Sequence, residues 1–157
     1  SMKRSLTAAI TLFLALMISS GGTVPLGKAG LQGEGVLSAV RDLTGAYEKR
    51  TIDAFMDNIA TAYPDREAFE KSVEKIFSTY QSIHIKVHYT KILVMVQDKG
   101  NLKATFTWEG EWQTTGGKIV KDGARVTLVF DPGTYKLLGI DGKNLFLPSD
   151  NPAPARQ

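Results

Sequence analysis

Apolar and polar residues alternate without a break over residues 102–113. The even positions read Leu, Ala, Phe, Trp, Gly and Trp, whereas every odd position is polar or charged. Because successive side chains of a strand point to opposite faces, this segment predicts a β-strand with one aromatic face and one solvated face. The aromatic face holds Trp108 and Trp112, the two tryptophans of the chain, and other elements must cover it.

Three amphipathic helices are predicted upstream of this strand, where they can supply the cover. The first has apolar residues at helical spacing from Val36 to Tyr47, the second follows Thr51, and the third follows Asp65. Thr51 and Asp65 are both favourable N-cap residues. The residues expected on the inner faces of these helices are Val36, Leu37, Val40, Leu43, Tyr47, Ile52, Phe55, Met56, Ile59, Phe69, Val73, Ile76, Phe77 and Tyr80.

A period of two begins at Ser82 and continues to about Leu147, which predicts a meander of antiparallel strands. Helices followed by such strands indicate an α+β fold. We expect the N-terminal helices to pack on a strongly curved antiparallel sheet of four or more strands, so that the domain is cone-shaped. The residues that the first strand is expected to bury are Ile83, Ile85, Val87, Tyr89, Leu93 and Met95.

The predicted turns set the register of the sheet. A tight turn at residues 98–101 places Lys91 opposite Trp108 on the aromatic face. A second turn, at the two glycines 116–117, leaves the next strand one residue out of phase with the aromatic face. We therefore expect a β-bulge at residues 122–123, where an Asp-Gly pair suits the extra residue.

This order of elements resembles the nuclear transport factor 2-like (NTF2-like) superfamily, the cystatin-like cone fold shared by SnoaL-like proteins and ketosteroid isomerases. The likeness lies in the tyrosine-ended helix and short helix of residues 46–56, in Tyr63 before the next helix, and in the strand of Trp108 and Trp112. It covers residues 34–147, although the short strand usual between the early helices is not evident. The resemblance implies a pocket between the concave sheet and the helices. Members of the superfamily include enzymes, non-catalytic binders and dimers formed through the outer sheet face.

The first 22 residues have the pattern of a secretory signal peptide. Lys3 and Arg4 form a positive end, residues 6–18 are apolar, and a Ser-Ser-Gly-Gly stretch suits cleavage after Gly22. The apolar run is shorter than the ~20 residues that a spanning helix needs. We therefore expect a periplasmic or secreted bacterial protein. The alternative is an uncleaved segment that anchors the protein in the inner membrane.

The rest of the chain divides into three predicted parts. Residues 23–33 are rich in glycine without periodicity and predict a flexible linker. Residues 34–147 have the length and pattern of a single domain. The prolines of residues 148–157 predict a disordered tail, and Ser1, which precedes the initiating methionine, is attributed to cloning.

Composition narrows the classes of function further. The formal charge of +3 includes two basic residues of the predicted signal peptide, and Lys and Arg are scattered along the chain. A nucleic-acid partner is therefore not expected. The chain has no cysteine, which excludes disulfides, thiol catalysis and cysteine-bound metals. No motif predicts a metal or a cofactor.

Two histidines on the predicted outer face invite a metal site, but strand geometry argues against it. His84 and His88 lie four residues apart, which spans ~13 Å along a strand and is too far for one ion. With Lys86 between them and Glu109 and Glu111 on the neighbouring strand, we expect a solvated cross-strand charge network.

The aromatic face is the predicted binding site. Lys91 beside Trp108 would orient an anionic ligand or transfer a proton, or its stem would lie along the ring while its ammonium reaches solvent. The hydroxyls of Tyr47, Tyr63 and Tyr89 need partners if they are buried, which favours them as pocket residues. The complete set of predicted pocket residues is Tyr47, Phe55, Tyr63, Tyr89, Lys91, Phe106, Trp108 and Trp112.

An apolar patch is predicted on the outer sheet face, and it indicates a homodimer. The alternative is that Leu145 and Phe146 of the C-terminal segment cover this patch. The residues assigned to the patch are Ile92, Val94 and Val96.

The sequence thus predicts an exported small domain that binds a small apolar molecule or a protein partner, with no defined catalytic set. Two alternatives stay open. One is an isomerase, cyclase or dehydratase of the ketosteroid-isomerase-like type, and the other is an interaction module with a filled cone that acts through its outer sheet face.

Overall fold

The computed structural model describes residues 26–89, 92–96 and 100–149, with side chains from Gln32 onward. Within these residues, three helices come first and five antiparallel strands follow, which confirms the predicted α+β fold. None of the helices in the described residues is long and apolar enough to cross a membrane. The helices are α1 (Leu26–Glu48), α2 (Ile52–Met56) and α3 (Arg66–Thr79).

The helical periodicity correctly located the helices, but α1 begins earlier than predicted. The prediction of a flexible linker over residues 23–33 is wrong for residues 26–33, because these residues belong to α1. Residues 23–25 lie outside the described residues. Glycine in this helix serves packing at one position at least. A Cβ on Gly35 would lie 2.5 Å from ring atoms of Tyr135, so only glycine lets that ring approach the helix.

The five strands form one curled sheet that packs its concave face against the helices. Its order is β1-β3-β4-β5, and β2 pairs with β3 on the same edge as β1. The buried core lies between this concave face and the helices. The strands are β1 (Ser82–Val87), β2 (Leu93–Val96), β3 (Leu102–Gln113), β4 (Ile119–Phe130) and β5 (Leu137–Gly142).

The predicted register of the first hairpin is wrong, because the expected first strand is two strands. Val87 pairs with Trp108, and Val94 pairs with Ala104. Val94 follows Val87 by seven positions, whereas their partners on β3, Trp108 and Ala104, are only four positions apart. The chain from Val87 to Val94 is therefore three residues longer than the part of β3 that it faces. An odd number reverses the faces. Val94 therefore points into the core with 1% exposure, whereas Met95 is 46% exposed.

This reversal also corrects the predicted outer patch. Val94 belongs to the core and cannot form an interface, and Ile92 is half-buried. Val96 pairs with Leu102 on the core side, although it is 37% exposed at the end of its strand. Met95, which was expected inside, is the most exposed apolar residue of β2.

The bulge predicted at residues 122–123 is also wrong, because β3 and β4 pair without interruption. The extra residue lies in the turn between them instead. There the amide of Thr114 donates to the carbonyl of Lys118 at 2.9 Å, and Gly117 adopts a φ of +90°. Glycine accepts this left-handed conformation without strain, so the turn absorbs the change of phase.

A further contact ties the sheet to the segment between α2 and α3. Ile59 forms a single parallel bridge with Leu137, at the place of the short strand that the sequence did not reveal. The predicted tail begins inside the domain, since Pro148 is buried; residues 150–157 lie outside the described residues.

Glu48 at the end of α1 caps the exposed edge of β1. Its Oε2 accepts the amide of Ile85 at 2.7 Å. We expect Glu48→Ala to lower the free energy of unfolding by about 1–2 kcal/mol, because this charge-assisted bond is lost. The freed edge should also promote self-association, measured by sedimentation at several concentrations alongside urea unfolding. Glu74→Ala, which removes an exposed carboxylate of α3, is the control; an equal effect there would contradict the capping role.

Candidate functional site

Tyr47 lies at the centre of the concave side, and both functions of its hydroxyl are in use. The hydroxyl accepts the indole N–H of Trp112 at 2.8 Å and donates to the main-chain carbonyl of Phe146 at 3.0 Å. Three distant parts of the chain, α1, β3 and the C-terminal segment, therefore meet at one oxygen atom. A buried hydroxyl satisfied in this way holds the surrounding rings in a defined arrangement.

Tyr47 belongs to a cluster of six aromatic side chains joined by ring contacts and by the Trp112–Tyr47 hydrogen bond, and we call this cluster the aromatic chamber. The ring of Tyr47 lies 4.9 Å from that of Phe146, and Phe146 lies 5.0 Å from Phe55, both edge-on. The two indoles of β3 also meet edge-on, at 6.2 Å. Edge-on contacts of this kind are favourable for aromatic rings. The members of the aromatic chamber are Tyr47, Phe55, Phe77, Trp108, Trp112 and Phe146.

The sequence of β3 explains how two tryptophans share one face. Gly110 stands between Trp108 and Trp112 on that face, and the indole of Trp112 lies over it. A Cβ on Gly110 would come within 2.5 Å of the indole ring. Gly110 has no side chain, and the Trp112 ring occupies the space that a side chain at this position would fill.

Five of the predicted pocket residues lie in the core on the concave side of the sheet, and none of their side chains is more than 1% exposed. A side chain that lines a water-sized cavity keeps accessible surface, so these side chains are packed by their neighbours. The indole N–H of Trp108 is nevertheless buried, and none of the described residues accepts a hydrogen bond from it. The five residues are Tyr47, Phe55, Phe106, Trp108 and Trp112.

Two other predicted pocket residues, Tyr63 and Tyr89, lie elsewhere. Tyr63 is half-buried and stacks on Phe69 at 4.7 Å, away from the Tyr47 hydroxyl. Tyr89 lies under the guanidinium of Arg41 at 4.9 Å. Lys91 lies outside the described residues, but its predicted partner Trp108 pairs with Val87 instead.

Phe146 is the chamber residue that sequence reasoning placed elsewhere, as cover for the outer sheet face. Both Leu145 and Phe146 are fully buried on the concave side. The hydrogen bond that positions Phe146 joins residues 99 positions apart, and the segment around it has no period. No local signal in the sequence could have located it.

The outer face carries part of the charge network that the sequence predicted; among the described residues, neither His84 nor Lys86 forms an ion pair. His88 and Glu109 form a pair at 2.7 Å, and Lys121 lies 3.9 Å from Glu111. An open cleft of about 590 Å³ is lined from both faces of the sheet, by Glu109, Glu111 and Lys121 on the outer side and by Ile85 and Asp122 on the inner side. The described residues hold no group of three potential metal ligands. The outer face is therefore a solvated polar surface, as expected from the strand alternation.

Burial makes the chamber hydroxyl a poor acid. Loss of hydration raises the pKa of Tyr47 far above its ordinary value of 10.0, although the hydrogen bond from Trp112 opposes the shift. Burial also raises the pKa of Tyr63 and of Tyr89. A neutral phenol at physiological pH donates and accepts hydrogen bonds but does not act as a base.

These shifts predict a loss of stability at alkaline pH. Each phenol has a higher pKa in the folded than in the unfolded chain, so its contribution is complete below pH 10 and is lost as the pH rises above that value. We expect the free energy of unfolding to fall between pH 10 and pH 12 in urea titrations. The slope should be shallower in Tyr47→Phe than in the wild type. Equal slopes would contradict a dominant contribution from Tyr47.

The fold and its concave aromatic side define the class of protein: the chain has the NTF2-like cone fold. An NTF2-like superfamily protein from Salmonella enterica serovar Typhimurium has a TM-score of 0.60 at 9% identity, over 73% of this chain and 95% of its own. No protein-family model and no curated protein matches the sequence.

Two further solved structures are similar. The BvnE pinacolase from Penicillium brevicompactum has a TM-score of 0.53 at 10% identity, over 69% of this chain and 84% of its own. A protein from Catenulispora acidiphila in complex with S-DNPA has a TM-score of 0.54 at 10% identity, over 69% and 89%. At such identities the likeness establishes the fold, and a function must be argued from the site.

Proposed function

We propose that the protein is a non-catalytic binding domain that takes a small apolar aromatic molecule in the aromatic chamber. One observation carries the proposal. The hydroxyl of Tyr47 and the rings around it bind the ring and carbonyl of Phe146, a residue of an irregular segment outside the helices and strands. The chamber therefore has the chemistry to bind a ring together with a hydrogen-bond acceptor.

The ionisable groups support binding rather than catalysis. Tyr47 has a raised pKa and is committed to two hydrogen bonds. Among the described residues, the histidines and the carboxylates of Glu109 and Glu111 lie on the outer face. Asp122 faces inward, but it binds Lys143 and two main-chain amides rather than a tyrosine. A ketosteroid-isomerase-like enzyme would need an acid or base inside the chamber.

Tryptophan indole resonances test the proposal directly. In ¹H–¹⁵N spectra, a panel of small aromatic molecules should shift the indole N–H signal of Trp112 saturably, because that group is bonded to Tyr47. Resonances of outer-face residues, such as Lys121, serve as the control and should not move. If no aromatic molecule shifts the Trp112 signal, the chamber is structural and the proposal is overturned.

A second candidate is an interaction module that acts through the outer sheet face. The complete burial of the chamber side chains favours it, since a filled cone leaves the outside to bind partners. A homodimer through this face would centre on Met95, the exposed apolar residue that β2 places on the outer side of the sheet. Sedimentation should then show a dimer that Met95→Lys dissociates. A wild-type monomer at high concentration would exclude this dimer.

We also propose that residues 1–22, which lie outside the described residues, direct export to the periplasm or the medium. The positive end and the short apolar run support this. The intact mass of the exported protein should correspond to a chain that begins at Thr23. A mass that retains Met2 would rule out cleavage and favour the inner-membrane anchor.

A further inference from the structure

The C-terminal segment of residues 143–149 follows β5 and brings Phe146 against Tyr47 and Phe55, and we call it the strap. It is neither helix nor strand, yet Leu145 and Phe146 within it have no exposed surface. Its shape is kept by its own bonds: the amide of Phe146 donates to the side-chain oxygen of Asn144 at 2.8 Å. The amide of Leu147 donates to the carbonyl of Asn144 at 3.2 Å.

The strap is fastened to the sheet mainly at one side chain. The carboxylate of Asp122 accepts Lys143 Nζ at one end of the strap and the amide of Ser149 at the other. Between these points, in the described part of the chain, the hydrogen bond from strap to body is the one from Tyr47 to the carbonyl of Phe146. Apart from these bonds, the strap is held by the burial of Leu145 and Phe146, so it opens when these two side chains undock, without breaking a ladder of paired strands.

The piece of strap inside the chamber has a defined chemical form. Phe146 presents a phenyl ring to Tyr47 and Phe55 and a carbonyl to the hydroxyl of Tyr47. In any phenylalanine residue, two carbon atoms separate the ring from the carbonyl. A small molecule with the same skeleton can therefore make the same ring contacts and accept the same hydrogen bond.

We propose that the strap is a displaceable plug, and that the ligand is an arylalkyl carbonyl compound that takes the place of Phe146. Asp122 is the latch that sets how often the strap opens. This inference rests on the proposed function and adds to it the class of ligand and its regulation. The affinity observed for the ligand is the intrinsic affinity reduced by the fraction of molecules whose strap is open.

The test uses the full chain and benzylacetone, whose ring and carbonyl are spaced as in Phe146. Asp122→Asn loses the ion pair with Lys143 but keeps the shape of the side chain, so we expect it to bind benzylacetone at least fivefold more tightly than the wild type. Glu109→Gln makes the same chemical change at an exposed residue away from the strap and should stay within twofold. Butylbenzene, which lacks the carbonyl, should bind at least fivefold more weakly than benzylacetone.

Hydrogen exchange separates the plug from the proposed function. Saturating benzylacetone should speed exchange of the strap amides of Phe146 and Leu147, because the bound state has an open strap. If the Trp112 indole signal shifts while these amides exchange no faster, and Asp122→Asn binds like the wild type, the plug is overturned and the chamber remains a binding site. If neither wild type nor Asp122→Asn shifts that signal, the proposed function falls as well.

Discussion

Replacing Gly110 by alanine should lower the free energy of unfolding by about 3 kcal/mol, which is the upper range for overpacking a core. The added Cβ would lie 2.5 and 2.7 Å from two atoms of the Trp112 indole and 3.0 Å from the end of Ile85. The indole has no free space into which it can turn, since it is fully buried and bonded to the hydroxyl of Tyr47. The strain must therefore spread into the chamber or into β3.

The matched control for this change lies in the same sheet. A Cβ on Gly139 in β5 would meet nothing within 4 Å. Gly139→Ala should therefore leave stability unchanged or raise it by up to about 1 kcal/mol, since alanine restricts the unfolded chain more than glycine does. Urea unfolding of both variants, followed by tryptophan fluorescence, measures the contrast. A loss of less than about 1 kcal/mol for Gly110→Ala would show that Trp112 has room to move.

Replacing Tyr47 by phenylalanine should cost about 2–4 kcal/mol, although the ring is kept. The change leaves two buried groups without partners, the indole N–H of Trp112 and the carbonyl of Phe146. Each unsatisfied buried group costs about 1–3 kcal/mol. The cost therefore exceeds that of a single lost hydrogen bond.

Tyr63→Phe is the control, because Tyr63 is half-buried and its hydroxyl makes no hydrogen bond with the described residues. It should change stability by less than about 0.5 kcal/mol. The Tyr47 variant should also shift the indole N–H resonance of Trp112. Equal stability of the two variants in urea, with the Trp112 resonance unmoved, would contradict the central role of the Tyr47 hydroxyl.

The helices and β3 were predictable because their signals are local. The helical spacing from Val36 to Tyr47 and the alternation through Trp108 and Trp112 each arise within one element. These patterns also show that the outer charges, such as Glu109, lie away from the aromatic face. The NTF2-like resemblance follows from the order of such elements, and the structure confirms it.

The predicted strand registers were wrong where the pairing of a strand depends on the length of the irregular segment before it. The register of β2 depends on the number of residues between Val87 and Val94 relative to the number between their partners Trp108 and Ala104, and nothing in the composition of the chain sets that difference. The side-chain alternation of β4 matches that of β3 because the turn at Gly117 contains the one extra residue. A bulge within β4 would have had the same effect, so the pattern of the strands could not distinguish the two. The sequence showed that one extra residue is needed between β3 and β4, but it did not show where that residue lies.

The sequence by itself determined the class of fold, the aromatic face of β3 and the residues Tyr47, Trp108 and Trp112 that meet on it, because side-chain alternation and helical period follow from backbone geometry. Only the tertiary structure decided what fills the chamber. Phe146 comes from a segment without a period and reaches Tyr47 across 99 residues. Contacts of that separation depend on the packing of the whole chain, and no local pattern records them.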